Sequence, residues 1–196
     1  MKTFSVFLSL FFTLSAFALE SGTPAPDFKL KSATGKVVSL SEYKGKIVVL
    51  EWLNHGCPFV RKHYDSNNMQ SLQKKYTGQN VIWLSIISSA ESKQGYVDAA
   101  GAKADKDKNN SSATDVLLDA SGEVGKLYGA KTTPHMFVVD KNGMLAYQGA
   151  IDSTADTNQD SVAAAKNYVA TALNEIMAGK KVTQPATQSY GCGVKY

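Results

Sequence analysis

The sequence predicts an α/β domain with a central mixed β-sheet flanked by helices. Two near-continuous apolar runs, KIVVLEWLN (residues 46–54) and VIWLSII (81–87), are typical of strands that are buried on both faces. The chain between them has a helical pattern, so a crossover joins the two strands and they must pair in parallel. An Asn142-Gly143 dipeptide between two alternating runs predicts an antiparallel hairpin later in the chain.

The elements around the first apolar run follow from local signals. Segments DFKLKS (27–32) and KVVSL (36–40) flank a glycine and predict an N-terminal β-hairpin, which leads into a single helical turn. After the run, Pro58 suits the first turn of a helix, because its missing N–H costs nothing there. The polar stretch 65–68 predicts a kink, after which the helix resumes and ends at Gly78.

The second half of the chain contains shorter elements. A helix is predicted over residues 92–104, followed by a strand DVLLD and a short helix GEVGKLYGA. The hairpin then occupies residues 132–152, and an Ala-rich helix over residues 161–178 closes the domain. The sequence has no internal repeat and no linker, so residues 19–178 are predicted to form one domain.

The first eighteen residues are predicted to be a secretory signal peptide. Lys2 precedes an apolar run from Phe4 to Phe17, and the triplet that ends at Ala18 is typical of a cleavage site. An anchoring transmembrane helix is the alternative, but the run is shorter than the ~20 apolar residues that a span needs. We therefore expect cleavage after Ala18 and a mature protein in the periplasm or outside the cell.

The charge of the mature chain is close to balanced. Removal of Lys2 leaves 20 of the 21 basic residues against 17 acidic ones, with no dense basic run. We therefore expect no binding to nucleic acid and, after cleavage, none to a membrane. An exported chain with two cysteines could hold one disulfide. Thiol chemistry needs no bound cofactor, so no cofactor is expected.

Cys57 is the first candidate catalytic residue. It stands immediately before Pro58, so unpaired backbone N–H groups and the positive end of the helix dipole should lower the pKa of its thiol. Arg61, the only arginine in the sequence, is four residues on and could place a cation near the sulfur. The alternatives are a buried inert thiol for Cys57 and a solvated surface charge for Arg61.

Cys192 is the only other cysteine and lies in a C-terminal tail, residues 179–196. Its neighbours Gly191 and Gly193 should give it the freedom to bring its Cα within about 7 Å of that of Cys57, as a disulfide requires. Cys192 could then resolve a mixed disulfide or a sulfenic acid formed on Cys57. The alternative is a permanent structural disulfide that ties the tail to the domain.

These features together resemble a known superfamily. The element order, the Cys57-Pro58 pair at a helix start and the Thr133-Pro134 pair before the hairpin are similar to the thioredoxin-like fold. The N-terminal hairpin extension, the stretch GCPFVRKHYDSNNMQ and the terminal GCGVK resemble secreted peroxiredoxin-like proteins of the redoxin, or AhpC/TSA, branch. The resemblance covers residues 22–196 and implies a thiol-dependent oxidoreductase.

The resemblance also implies roles for residues around the first cysteine. Pro134 matches the cis-proline that faces the active cysteine in thioredoxin-like folds, so Thr133, Pro134 and His135 are candidate substrate-binding residues, together with His55. Glu51 matches a buried acid that handles the proton of the cysteine pair. The alternatives are that Glu51 lies at a wet edge of the sheet and that each histidine is a structural group.

The sequence departs from the motifs of both related families. Val60 stands where a thioredoxin carries its second cysteine. Leu50 and Asn54 occupy the positions of Pro and Thr in the peroxiredoxin motif PxxxTxxC, although Asn54 could still bond a peroxide through its amide. We therefore keep disulfides and peroxides as candidate substrates, with a thiol protein as electron donor.

Two other classes of function remain open. Cys57, Cys192 and His135 or His55 could bind copper or zinc, although their spacing is not a known metal pattern. The chain could also be a non-catalytic interaction domain in which the two cysteines form a structural disulfide. An exported thiol-dependent oxidoreductase is the first hypothesis, because a helix-start cysteine and a second thiol occur together.

Overall fold

The computed structural model describes residues 19–196, and its central feature is a mixed β-sheet. Within these residues the strands are β1 Lys29–Ser32, β2 Val37–Ser39, β3 Val48–Trp52, β4 Ile82–Ile87, β5 Asp115–Leu118, β6 Thr132–Thr133, β7 His135–Val139, β8 Leu145–Gly149 and β9 Cys192–Gly193. The α-helices are α1 Pro58–Asp65, α2 Asn68–Thr77, α3 Ala99–Lys108, α4 Glu123–Tyr128 and α5 Tyr168–Met177. Short 3-10 stretches occupy Leu40–Tyr43 and Gln159–Ala164.

The sheet has the mixed pairing that the sequence predicts. Its order across residues 19–196 is β2-β1-β5-β4-β3-β7-β8. β3 pairs in parallel with β4, and β4 with β5, because helical crossovers join them, whereas β7 and β8 form the antiparallel hairpin. β1 and β2 form the N-terminal hairpin. The predicted fold class is confirmed, and the loop that carries Cys57 follows a central strand.

Strand β3 divides its side chains between two apolar cores, one on each face of the sheet. Val49, together with Leu53 just after the strand, faces the core that contains α1, α2 and α5, whereas Leu50 and Trp52 face the core that contains α4. Strand alternation directs Glu51 to the same side as Val49. Glu51 is fully buried, so the alternative of a wet edge is wrong.

The helix predicted over residues 92–104 begins later than expected. Ser92 and Gly95 have φ values of 63° and 89°, which a right-handed helix cannot contain. The helix starts after Asp98, whose side chain caps it by accepting a hydrogen bond from the N–H of Gly101 at 2.8 Å. The residues before α3 therefore form a loop.

The last helix is also shorter than predicted. Residues 159–164 form a 3-10 stretch that ends where Ala165 is extended. Asn167 forms an isolated bridge with Asp152 and caps α5 by accepting from the N–H of Ala170 at 2.8 Å. The contact with the segment after β8 thus interrupts the Ala-rich stretch, and the predicted continuous helix is wrong in its first part.

The C-terminal tail is held along its length, which contradicts the freedom expected from Gly191 and Gly193. Residues 185–187 form hydrogen bonds with Gln148 of β8, and β9 pairs with β6 in an antiparallel ladder. At Gly191, where φ is 130°, a Cβ atom would lie 2.1 Å from the carbonyl oxygen of Thr133. Glycine is therefore needed here for close approach and not for mobility.

The predicted signal peptide lies outside the described residues. The described chain starts beside the β7–β8 hairpin, where the N–H of Gly22 donates to the carbonyl of Leu145 at 2.7 Å. None of the helices in residues 19–196 has the length and apolar character to cross a membrane.

Asn167→Ala should lower the free energy of unfolding by about 1 kcal/mol, because it removes the side chain that caps α5. Urea denaturation followed by circular dichroism measures the change. Asp160→Ala is the matched control: it would remove a cap if the helix began at residue 161, but it should change stability by less than about 0.5 kcal/mol if the helix begins at Tyr168. Equal losses in both variants would contradict the observed helix start.

Candidate active site

Cys57 lies at the N-terminus of α1, directly after the loop that follows β3. It is the N-cap residue, with extended backbone angles (φ −85°, ψ 125°), and Pro58 takes the first helical position. Its carbonyl accepts a helical hydrogen bond from the N–H of Arg61 at 2.9 Å, while its side chain makes no capping hydrogen bond. The thiol therefore has the helix-start environment that the sequence predicts.

The second thiol is in contact with the first. The Sγ atoms of Cys57 and Cys192 are 2.6 Å apart, and the Cys57 thiol also donates to the carbonyl oxygen of Thr133 at 3.1 Å. Both cysteines are free thiols; Cys57 has no exposed surface, whereas Cys192 is half-buried. The tail therefore covers Cys57 and places a second sulfur against it.

The cis-proline implied by the resemblance is present. The Thr133–Pro134 peptide bond is cis. β6 ends at Thr133 and pairs with β9, so that Thr133 is opposite Cys192, whose carbonyl accepts from Thr133 Oγ1 at 3.4 Å. Thr133 thus contacts both cysteines, Cys57 through its carbonyl oxygen and Cys192 through strand pairing.

The two thiols have opposite pKa shifts. Burial raises the pKa of Cys57, but the contact with the Cys192 thiol and the nearby backbone N–H of Val60, among other groups, outweigh burial and hold the pKa below its usual value. Burial and the hydrogen bond with Cys57 raise the pKa of Cys192 to about 11. Cys57 is therefore the sulfur that ionises first.

Glu51 accepts hydrogen bonds from four buried side chains. Trp83 Nε1 donates to it at 2.7 Å, Tyr64 Oη at 2.9 Å, Ser85 Oγ at 3.0 Å and Gln73 Nε2 at 3.1 Å. Burial raises the pKa of Glu51 above its usual value, although these hydrogen bonds act in the opposite direction. Such an acid can hold or release a proton inside an apolar core.

Asn54 holds the loop around Cys57. Its Nδ2 donates to the carbonyl oxygen of Gln94 at 3.2 Å and to Oε1 of the same residue at 3.0 Å. Its Oδ1 accepts from the N–H of Gly56 at 2.9 Å. Both amide hydrogens of Asn54 are therefore engaged within the protein, and neither is free to orient a peroxide.

Arg61 does not approach the thiol pair. Its side chain is 65% exposed and pairs with Asp65, 3.3 Å away and one turn on along α1. Within the described chain, no hydrogen bond or ion pair links the side chain of Arg61 to either cysteine. The helix therefore directs the guanidinium to solvent, in agreement with the alternative of a surface charge.

The two histidines near the site have protein partners of their own. His55 packs edge-on against Tyr64, with ring centroids 4.9 Å apart, and burial lowers its pKa. His135 Nδ1 accepts from the N–H of Lys131 at 3.2 Å, and burial, with a smaller effect from the Lys131 charge, lowers its pKa to about 4. Both imidazoles are therefore neutral at pH 7.

The residues considered for copper or zinc belong to no cluster of three or more possible ligands within the described residues. Across residues 19–196, no group of three or more His, Cys, Asp or Glu side chains is close enough to hold a metal ion. The Nδ1 atom of His135, one of the candidate ligands, already accepts a backbone hydrogen bond. The metal-binding alternative therefore has no geometric support.

Sequence reasoning missed a buried polar cluster beside the thiol pair. Lys62 and His63 of α1 are buried, and they lie with Asp152 around Tyr190 of the tail. Polar residues in a short helix normally face solvent, so the sequence pattern gave no reason to place these two in the interior. The available signal was Tyr190, one of two aromatic residues in a largely polar tail and two positions before Cys192.

A family model and several relatives match this chain. The model of the AhpC/TSA family matches residues 21–148. The thiol-disulfide oxidoreductase ResA of Bacillus thuringiensis subsp. konkukian is 27% identical over 125 residues. These residues are 64% of this chain and 66% of that relative.

Solved structures show the same architecture. A hypothetical protein from Sinorhizobium meliloti 1021 has a TM-score of 0.77 and 25% identity, over 92% of this chain and 96% of its own. A protein provisionally assigned as the thiol:disulfide interchange protein DsbE of Chlorobium tepidum has a TM-score of 0.51 and 30% identity, over 66% of this chain and 84% of its own. The predicted thioredoxin-like fold is confirmed.

Gly191→Ala should displace the tail, because its Cβ would overlap the carbonyl oxygen of Thr133 and its φ is unfavourable for alanine. We expect a loss of about 1–3 kcal/mol in the free energy of unfolding and faster alkylation of Cys57 in the reduced protein. Gly193→Ala is the control, since its nearest neighbour atom would be 4.0 Å from the new Cβ. Slow alkylation of Cys57 in both variants would contradict the tail contact.

Glu51→Gln should change how stability depends on pH. The pKa of Glu51 is higher in the folded than in the unfolded chain, so above about pH 4.5 the unfolded state loses a proton that the folded state keeps. The free energy of unfolding of the wild type should therefore fall, relative to the variant, by up to about 1.4 kcal/mol per pH unit until Glu51 ionises in the folded state.

Urea denaturation at a series of pH values measures this difference. Glu20→Gln, which removes an exposed carboxyl group, is the control. A difference between wild type and Glu51→Gln that does not vary with pH would show that the pKa of Glu51 is not raised.

Proposed function

Because this chain belongs to the AhpC/TSA family and is an oxidoreductase of the thioredoxin-like, thiol-disulfide type, we propose that it exchanges disulfides through Cys57 as nucleophile, with Cys192 as the resolving thiol. The observation that carries the proposal is the 2.6 Å contact between the two sulfurs. Two thiols in contact can close a disulfide without a large movement of the backbone.

The exchange takes place in two steps. The Cys57 thiolate attacks a substrate disulfide, forms a mixed disulfide and releases one substrate thiolate. Cys192 then loses its proton and attacks Cys57 Sγ, which closes the Cys57–Cys192 disulfide and releases the second substrate thiolate. The substrate gains two electrons and the protein loses two, which a thiol protein must restore. Because Cys57 is fully buried, the tail has to move before the first step.

Glu51 is the proposed proton carrier for the second step. The pKa of Cys192 is raised to about 11, so its thiol needs a base before it can attack. Glu51 lies on the face of the sheet that packs against the core containing Cys57. Its raised pKa makes it a stronger base than an ordinary carboxylate.

Disulfides are the proposed substrates in preference to peroxides. The amide hydrogens of Asn54, which would have to replace the threonine hydroxyl of PxxxTxxC, are bonded to Gln94. The only arginine, Arg61, is directed to solvent and pairs with Asp65. The site therefore has neither of the groups that would orient a peroxide and stabilise the leaving oxygen.

Export is the proposed setting for this chemistry. Residues 1–18 have the pattern of a signal peptide, and cleavage after Ala18 would leave the domain of residues 19–178 and the tail in an oxidising compartment. Substrates there include exposed disulfides of other proteins. The electron donor is then a thiol protein of the same compartment.

Single cysteine variants test the proposal. With a peptide disulfide as oxidant and non-reducing peptide mapping as readout, Cys57→Ser should abolish exchange, whereas Cys192→Ser should accumulate the peptide as a mixed disulfide on Cys57. The wild type should form the Cys57–Cys192 bridge, and it should do so faster with the peptide than with an equal concentration of peroxide.

Three outcomes would count against the proposal. A wild type that reacts no faster than Cys57→Ser would exclude Cys57 as nucleophile. A Cys57–Cys192 bridge that is always present and resists a dithiol would indicate a structural disulfide. Faster oxidation by peroxide than by the peptide would make the protein a peroxidase.

A further inference from the structure

Tyr190 contacts the helix that begins at Cys57. The centroid of the Tyr190 ring is 5.9 Å from that of Phe59. Lys62 Nζ also lies 5.9 Å from the centroid of the Tyr190 ring. Phe59 and Lys62 both belong to α1, and Tyr190 is two residues before Cys192. The helix that begins after Cys57 therefore binds an aromatic residue two positions before Cys192.

Three hydrogen bonds in series fix the Tyr190 hydroxyl group, and the donor of each one is determined by the chemistry of the groups. Asn68 Nδ2 donates to His63 Nδ1 at 2.9 Å, which leaves the ring proton on Nε2, and Nε2 donates to the Tyr190 hydroxyl oxygen at 3.2 Å. The hydroxyl group donates in turn to Asp152 Oδ1. His63 has to be neutral in this arrangement, and burial lowers its pKa to about 4.

The acceptor, Asp152, is itself held against α1. Its Oδ1 also accepts from the N–H of Thr154 at 3.0 Å, and the carbonyl of Thr154 accepts from Lys62 Nζ at 2.7 Å. The same Lys62 side chain is fully buried and pairs with Asp156 at 3.0 Å. The loop of residues 152–156 and α1 therefore form one connected support for the tyrosine.

Burial of the charged groups that support Tyr190 lowers the stability of the folded protein. Lys62 is a fully buried lysine, and Asp152 keeps a buried oxygen, Oδ2, without a hydrogen-bond partner. Replacement of such a cluster by apolar residues of similar volume often leaves stability unchanged or improves it. The need for stability alone therefore does not explain the cluster, whereas the need to hold one tail position does.

The two residues before Cys192 are both fixed. Gly191 lies against the carbonyl oxygen of Thr133, and Tyr190 is bound to α1. Residues six apart on a helix, such as Cys57 and His63, are about 9 Å apart, and an extended segment from Tyr190 to Cys192 spans about 7 Å. The tail can therefore follow the first turns of α1 and bring its sulfur to Cys57.

We propose that Tyr190 is a positioning residue for the thiol pair: its hydroxyl group, bound by His63 and Asp152, holds the tail so that Cys192 lies against Cys57. This inference rests on the proposed exchange between the two cysteines. While the contact is closed, Cys192 has a high effective concentration at Cys57. When it opens, Cys57 becomes accessible to a substrate.

Tyr190→Phe tests the proposal, because it keeps the ring and removes the hydroxyl group. The first readout is the rate of Cys57 alkylation by iodoacetamide in the reduced full-length protein, and the second is the equilibrium constant of the Cys57–Cys192 disulfide against glutathione. We expect alkylation to become about tenfold faster and the equilibrium constant to fall about tenfold, because a hydrogen bond to a carboxylate is made only in the closed tail.

Tyr76→Phe is the matched control. It removes a buried hydroxyl group that donates to Asn174 and to the carbonyl of Ala170, both in α5. It should lower Tm without changing either readout. If Tyr190→Phe behaves in the same way, Tyr190 is only part of the folded core and the proposal is overturned.

A second variant and the choice of the reduced protein allow the proposal to be tested even if Tyr190→Phe does not fold or the disulfide does not form. Asp152→Ala, which removes the acceptor of the Tyr190 hydroxyl group, should also speed the alkylation of Cys57, and it serves if Tyr190→Phe does not fold. An unchanged alkylation rate would overturn the proposal. Alkylation of the reduced protein does not require the disulfide. A wild type that never forms the bridge would therefore overturn the proposed function, while faster alkylation of Tyr190→Phe would still support the positioning role.

Discussion

The antiparallel pairing of β9 with β6 is the interaction on which the site depends. It brings Cys192 against Cys57 across 135 positions of sequence, although Val60 occupies the place of a local partner. The pairing also buries Cys57 completely and supplies one of the hydrogen bonds that hold its pKa below the usual value. It requires glycine at position 191, because a Cβ atom there would overlap the Thr133 carbonyl. Backbone packing thus brings the Cys192 sulfur into contact with that of Cys57.

Helix α1 connects the three parts of the site. Its N-cap is Cys57, and two adjacent residues in its second turn reach opposite partners: His63 contacts Tyr190 of the tail, and Tyr64 donates to Glu51 of the sheet. A rigid helix therefore joins Cys57, Glu51 and the tail. In the proposed exchange, movement of the tail would change the surroundings of the thiol, whereas Glu51 would keep its four hydrogen-bond partners in the core.

Much of the fold could be predicted because its signals are local. The apolar runs of β3 and β4, the Asn-Gly hairpin and the proline after Cys57 each act within a few residues. The starts of α3 and α5 could not be predicted, because a left-handed backbone at Ser92 and a bridge between Asp152 and Asn167 override helix propensity. The error at Arg61 had a local cause: Asp65, four residues further along the same helix, pairs with the guanidinium.

The sequence by itself determined the central strands, the helix-start position of Cys57 and the presence of one acid in an apolar strand, since periodicity and chain neighbours specify these. Only the tertiary structure decided that Cys192 touches Cys57, that Asn54 is committed to Gln94 and that Lys62 and Asp152 are buried around the tail. These facts depend on contacts between segments far apart in the chain. When a distant segment buries a side chain, the hydrophobic periodicity of the local sequence does not indicate that burial.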